Sequence, residues 1–267
     1  MRVGALGFKT DVMVRRMAGS EVTDCGDHLV VRTPAIPTFY WGNFLLLGGR
    51  AAVEDSQRWL SEFHQHFPRA RHLALGWDRT SGRDCERLAP LRAAGLEERA
   101  DSVLTARSLS PAPHRRPGAD LRPLSSDSDW DQALALRLAV NAAEGAASPT
   151  HGEFLETKVA EARRLSAGPG AAYFGAFLEG RLAAALGVVV TRGGTGRFQD
   201  VETAPEHRRQ GLAGSLVEMA GAFALGGMRA AQLVIVADPR GPAISLYRSL
   251  GFRETELQIS LEMAPVD

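Results

Sequence analysis

The chain has 267 residues, longer than the commonest domain of about 100 to 150 residues, so two domains are expected. With 45% hydrophobic and 23% charged residues it can bury a sizeable core, which excludes a disordered chain. Lysine plus arginine equals aspartate plus glutamate at 31 each, and the formal net charge of zero gives no broad electrostatic attraction to nucleic acid or an anionic membrane, so neither is an expected partner.

Met1 to Gly19 mixes Lys9, Asp11, Arg15 and Arg16 with apolar residues and lacks the continuous apolar stretch of a secretory signal. No later segment reaches the roughly 18 uninterrupted apolar residues that span a bilayer, so a cytoplasmic protein is expected. Cys25 and Cys85 lie far apart at no metal-ligand spacing, and His64 and His66 face different sides of one helix. No metal is therefore expected.

His28 to Arg32 and Phe39 to Leu47 read as strands, Val53 to His66 as a helix and Arg71 to Trp77 as a strand. Cys85 to Ala94 reads as a helix and Glu97 to Thr105 as a strand. From Ser108 to Pro123 repeated prolines remove backbone donors and disfavour helix before them, which predicts a linker over residues 108–117 between domains at 1–107 and 118–267.

In the second part Asp120 to Arg122 can supply a first strand. Apolar residues at helical spacing follow over Ser128 to Glu144, then a second helical stretch covers Glu153 to Leu165. Ala171 to Leu178 and Arg181 to Thr191 are β-prone runs joined by Glu179-Gly180, a two-residue hairpin connection. A strand at Arg197 to Thr203, a helix at Gly211 to Leu225, a strand at Gln232 to Ala237, a helix at Pro242 to Leu250 and a strand at Phe252 to Leu261 complete the order. The fold class is an α/β sandwich with a mixed sheet. The first part repeats the second half of this pattern: Leu73 to Asp78 parallels Leu233 to Asp238, and Gly95 stands where Gly251 does.

His207 opens the run His-Arg-Arg-Gln-Gly-Leu-Ala-Gly-Ser-Leu, which places Arg208, Gly211, Ala213 and Gly214 between a strand and a helix. Small residues at a helix start let ligand oxygens approach the backbone, the first-turn N–H groups donate, and the helix dipole favours an anion. The spacing matches neither the Gly-x-x-x-x-Gly-Lys-Ser/Thr nucleotide loop nor the dinucleotide fingerprint.

Asp200 to Gly214 resembles the pyrophosphate-binding motif of the GNAT N-acetyltransferase superfamily, Gln/Arg-x-x-Gly-x-Gly/Ala, preceded by the family's strand and by Pro205. Ala243, Leu246, Tyr247, Gly251 and Phe252 match its Ala-x-x-Leu-Tyr-x-x-x-Gly-Phe segment residue by residue. The resemblance covers residues 118–267 and implies a mixed-sheet GNAT acyl-CoA transferase fold, with the first part a degenerate second copy in tandem. It implies acetyl-CoA as cofactor: amides of Arg209, Gln210, Gly211, Leu212, Ala213 and Gly214 on the pyrophosphate, with Arg208 beside them. The strand edge at Val201 and Thr203 would meet the pantetheine arm. It also implies Tyr247 as general acid for the departing thiolate. Asp200 and Glu202 on the same strand are the candidate bases, against the ordinary reading of solvated strand carboxylates.

In the first part, the stretch where a cradle would lie holds Glu54 and Asp55, which would repel a pyrophosphate. One acetyl-CoA per chain is therefore expected, with transfer to a small-molecule or peptide amine by direct attack in a ternary complex, because no cysteine lies in the motifs. A homodimer is compatible with the sequence. The rival readings are a non-catalytic acyl-CoA sensor and an interaction protein.

Overall fold

The computed structural model describes residues 1–145 and 149–264. The chain gathers into two compact units, the first from Met1–Val103, Val236–Pro239 and the stretch from Glu254 onward, the second from Leu104–Ile235 and Arg240–Arg253. This division departs from the expected one at residues 107 and 118, because the end of the chain belongs with the first unit.

The first unit begins with helix α1 (Leu6–Met17), absent from the sequence expectation, whose leading N–H groups at Gly4 and Ala5 donate to the Asp78 carboxylate at 2.9 and 2.7 Å. Strands β1 (Glu21–Asp24) and β2 (His28–Arg32) form a hairpin, and β3 (Phe44–Leu47) follows a short 3₁₀ turn at Tyr40–Gly42. That turn shortens the strand expected from Phe39. Helix α2 (Ser56–His66) crosses to β4 (Leu73–Trp77), which runs parallel to β3, and α3 (Ala89–Ala93) leads into β5 (Glu97–Ala106).

The strand order is β1-β2-β3-β4, then the chain's last strand, Arg253–Met263, then β5. The last strand is antiparallel to β4, with Ile259 opposite Trp77. Side chains alternate between the faces, and both faces are covered. Leu45 and Leu47 bury with Trp59 and Phe63 of α2, whereas Phe44 and Leu46 bury with Phe8 and Val12 of α1.

The second unit starts with β6 (Asp120–Pro123), then α4 (Asp127–Ala143) and α5 (Pro149–Ser166). Ser126 and Asp129 form a reciprocal capping box at the start of α4, and Arg122 of β6 grips Asp129 with two hydrogen bonds of 2.7 and 2.8 Å. That grip holds the Asp129 carboxyl well below the usual carboxylate range. Strands β7 (Ala171–Leu178) and β8 (Arg181–Val190) form the expected hairpin, with Glu179 and Gly180 both left-handed at φ 50° and 79°.

Strand β9 (Thr195–Thr203), helix α6 (Leu212–Gly226), β10 (Gln232–Ala237) and α7 (Ala243–Ser249) follow, and the last strand is β11. The order in this unit is β10-β9-β8-β7-β6. Tyr173 meets Trp130 of α4 while its neighbour Phe174 meets Phe223 of α6. Adjacent strand residues point to opposite faces, so α4 and α6 cover the two sides of the sheet. No helix among the described residues is long and apolar enough to cross a membrane.

Candidate active site

Strand β9 is bulged in the middle. Ala185 pairs with Glu202 and Gly187 with Gln199, so β9 spends one residue more than β8 over this stretch, and Asp200 takes a left-handed φ of 50°. On its other side the parallel ladder to β10 ends at the pair Val234 and Arg197, while the β8 ladder continues to Thr203. The two parallel strands thus part beyond Arg197, leaving backbone of β9 through Val201 and Thr203 clear of the β10 ladder.

After β9 a 3₁₀ turn at Pro205–His207 leads to Arg208 in extended backbone, with Arg209 at φ 60° and Gly211 at φ 83°, and α6 begins at Leu212. The N–H of Ser215 returns to the Gly211 carbonyl at 3.1 Å; the amides just before it are those a helix's first turn leaves without intrahelical partners. A Cβ at Gly211 would lie 2.5 Å from the His114 carbonyl oxygen, and one at Gly214 would lie 3.1 Å from Leu246 Cδ1. Glycine is needed at 211 for its φ and for this close approach alike. Ala213 is half-buried in helical backbone.

The Arg208 side chain turns back from the helix start: its Nε donates to the Thr203 carbonyl at 3.3 Å and its Nη2 to Glu144 at 3.1 Å.

Asp200 and Glu202 converge on Arg137 of α4, whose Nη2 is 3.0 Å from Asp200 and whose Nε is 3.1 Å from Glu202. Without the extra residue of the bulge, two positions two apart would still share a face, but the left-handed turn at Asp200 is what aims both carboxylates at one guanidinium. Arg137 is 8% exposed; burial opposes its charge, and the two carboxylates overcome that and raise its pKa. Burial raises the Glu202 pKa above its ordinary value, with Arg137 opposing and Asp200 reinforcing the shift. The three side chains form the polar end of a solvent-open pocket whose apolar wall includes Trp130, Val159, Tyr173 and Leu186.

Tyr247 lies on α7, 5% exposed, with its ring edge-on to Phe252 at 6.2 Å. Burial pushes its phenol up to about 12.

Residues 169–254 match the family model described as the acetyltransferase (GNAT) domain. That stretch is identified as a GNAT domain. Its fold is similar to that of a functionally unknown conserved protein from Staphylococcus epidermidis, at 13% identity and a TM-score of 0.71 over 93% of this chain and 96% of that one. It is also similar to a GCN5-related N-acetyltransferase from Kribbella flavida, at 14% identity and a TM-score of 0.65 over 98% and 97%. A tandem GNAT protein from the clavulanic acid biosynthesis pathway gives 14% identity and a TM-score of 0.58 over 95% and 89%. No curated protein sequence matches the chain.

Within the matched residues, the loop at 209–211 runs straight into the first turn of α6 at Leu212, and Asp200 and Glu202 share one pocket with Arg137. Tyr247 is not among the residues lining that pocket. Arg208, expected beside the pyrophosphate, is engaged with Thr203 and Glu144 instead.

Sequence reasoning missed Arg137 altogether. It sits between Leu136 and Leu138, where a charge reads as part of the wet face. The signal that could have found it is the pair of acids two residues apart on one strand, since carboxylates that become buried require a partner.

The expected linker at 108–117 is also a packed segment of the GNAT-containing unit. The Ala112 N–H and the Arg115 guanidinium both reach Glu218 of α6, at 2.8 and 2.6 Å. Leu109 lies where a Cβ at Gly221 of α6 would be, and the Ser110 N–H donates to the Leu250 carbonyl at 2.9 Å. The prolines do keep this segment out of helix, but its apolar residues dock it along α6.

Proposed function

We propose that this protein is an acetyl-CoA-dependent N-acetyltransferase acting on a primary amine of a small molecule or peptide by direct attack in a ternary complex. The observation that carries the reading is the left-handed Gly211 at the head of α6, directly after a bulged strand whose ladder to β10 stops at Arg197. A helix start with small residues suits a pyrophosphate, and the exposed stretch of β9 backbone suits the amides of a pantetheine arm as an added strand. When bound, acetyl-CoA supplies an activated acyl thioester.

In this reading the amides of residues 209–214 hold the diphosphate, and Glu202 or Asp200, directly or through water, accepts the proton that the amine must shed. Of the two, Glu202 is the better base, because burial already raises its affinity for a proton. Arg137 keeps both carboxylates in place without removing that affinity. Tyr247, protonated across the physiological range, donates toward the sulfur as the carbon–sulfur bond breaks and the carbon–nitrogen bond forms. Both cysteines, Cys25 and Cys85, lie in the first unit, which supports direct transfer over a cysteine-bound acyl group.

The test is a charge placed in the cradle at a position that tolerates a side chain. Gly211 is unsuitable, because any substitution there also strains the backbone and meets His114. Ala213→Glu puts a carboxylate in the first turn of α6, where it helps the helix but repels a diphosphate. Calorimetry is expected to show coenzyme A affinity reduced about 100- to 1,000-fold, the scale of one like-charge pair about 4 to 6 Å apart at an effective dielectric near 20, with an unchanged melting temperature. Unchanged affinity in the folded variant would overturn the cofactor assignment.

The same titration on the unaltered protein is expected to give one coenzyme A per chain. Helix α2 of the first unit is already capped by Asp55, which accepts from the Arg58 N–H at 3.1 Å, and Glu54 is bound to Arg87 at 2.8 Å. Its start therefore presents carboxylates where a diphosphate would have to sit. A second equivalent of coenzyme A would contradict this.

A further inference from the structure

The hairpin joining β1 and β2 brings Cys25 and His28 beside His66, the last residue of α2, so that one ligand atom of each lies within 4.8 Å of the other two. All three belong to the first unit, whereas the residues of the GNAT motifs belong to the second. The Cys25 N–H donates to the His28 carbonyl at 3.0 Å, closing a Cys-x-x-His turn that presents both side chains on the same side of the hairpin.

His28 is 3% exposed, and its two ring nitrogens have different surroundings. Nδ1 is 2.9 Å from the Asp27 carboxylate, which is itself gripped by Arg58 at 2.6 Å. With the Asp27 carboxylate as its acceptor, Nδ1 carries the ring proton and donates, which leaves the lone pair on Nε2. That atom is buried and has no hydrogen-bond partner among the described residues. Trp59 packs edge-on against the ring at 5.5 Å, but a nitrogen bearing a lone pair gains nothing from an aromatic face. A buried acceptor with no donor is costly, and it needs an electrophile.

We propose that Cys25, His28 and His66 form a binding site for a divalent transition metal of the zinc class, with Asp27 as the carboxylate that orients His28. A thiolate and two neutral imidazoles are a donor set that zinc accepts, and the carboxylate–imidazole–metal relay is its usual outer support. The charges around the cluster are mixed: the cations Arg32 and Arg58, and the anions Asp27 and Glu62.

A tetrahedral site needs ligand atoms about 3.3 to 3.6 Å apart, given metal–sulfur and metal–nitrogen bonds of about 2.3 and 2.0 Å. Cys25 is exposed and is followed by Gly26 at φ 94°, around which a side chain would meet nothing within 4 Å, so no neighbouring atom blocks the shift that would close that distance. Three protein ligands would leave the fourth position to water.

The experiment uses the full chain, stripped with a chelator, kept reduced with a phosphine and titrated with Co²⁺ as an optical stand-in for zinc. One equivalent per chain should produce a thiolate-to-cobalt charge-transfer band with tetrahedral d–d bands, and Zn²⁺ should displace both. Cys25→Ala should abolish the charge-transfer band, His66→Ala should weaken binding at least about tenfold, and Asp27→Asn should weaken it by about 10- to 100-fold. Cys85→Ala should change nothing. In the unaltered protein, zinc should protect Cys25 but not Cys85 from alkylation, a reading that depends on no variant folding. Failure to bind cobalt, a charge-transfer band surviving in Cys25→Ala, or alkylation of Cys25 indifferent to zinc would each overturn the proposal.

Discussion

Replacing Arg137 by alanine should destabilise the protein by about 3 to 5 kcal/mol at neutral pH, the usual cost of removing one partner from a buried ion pair and stranding the other. Here two carboxylates are stranded together. Asp200 and Glu202 both bond to this guanidinium, and burial already raises the Glu202 pKa with the arginine in place. Without it, desolvation and mutual repulsion raise the pair further.

The sign of the pH dependence follows. A carboxylate whose folded pKa exceeds its unfolded one contributes stability that is present below the unfolded value and lost as pH rises through the folded value. The variant should therefore lose stability as pH rises from about 5 to 8, so its deficit against the unaltered protein should be smallest in acid. Urea unfolding at the two pH values checks both statements. Arg137→Lys should recover only part of the loss, because an ammonium cannot present the planar fork that reaches two carboxylates at once. A deficit below about 1 kcal/mol, or one independent of pH, would show that the carboxylates find another partner.

Arg137 also marks where sequence reading stopped short. The helix start at residues 211–214 was legible because its requirement is local: glycine takes the left-handed backbone at 211 without strain, and small residues stand at 213 and 214. The hairpin at Glu179-Gly180 was legible for the same reason. The partner of Asp200 and Glu202 was not, since it comes from a helix more than sixty residues earlier and looks like an ordinary wet-face charge. Cys25, His28 and His66 were missed by comparing cysteine with cysteine and histidine with histidine, when the hairpin and the end of α2 bring unlike residues together.

The last strand poses a different difficulty. Its apolar run fits a central position in any sheet, and nothing in Gln258 to Leu261 says that its partner is β4 of the first unit. The proline-rich stretch misled in the opposite sense. Proline chemistry forbade helix there, correctly, yet Leu109 and Ala112 found an apolar surface along α6. Local rules thus recovered most elements and the glycine-led start of α6, whereas the buried charge triad, the packed 108–115 segment and the Cys25, His28 and His66 cluster depend on contacts far apart in sequence.

Tyr247→Phe should lower kcat and kcat/KM together, with coenzyme A affinity and stability nearly unchanged. The ring is 5% exposed and packed on Phe252, and phenylalanine preserves that packing, so only the hydroxyl is lost. A positioned proton donor contributes about 10²- to 10⁴-fold. The lower end of that range is expected here, because burial pushes the phenol to about 12, well above the ordinary thiol value near 8.5. The phenol is always protonated at working pH but yields its proton reluctantly to a thiolate, so its contribution is mainly a hydrogen bond that strengthens as negative charge develops on sulfur. An interaction made only in the transition state has this signature, equal losses in kcat and kcat/KM. Two further consequences separate the role from mere packing. The alkaline limb of the rate profile below about pH 10 cannot belong to this group, so Tyr247→Phe should leave that limb where it is. The raised phenol also contributes stability that is complete below the unfolded value near 10 and lost as pH climbs toward 12, and the phenylalanine variant should lack that alkaline decline. Rate measurements in a regime where chemistry limits turnover decide the matter: a Tyr247→Phe enzyme that keeps more than half its kcat would remove Tyr247 from the mechanism and leave water as the proton source.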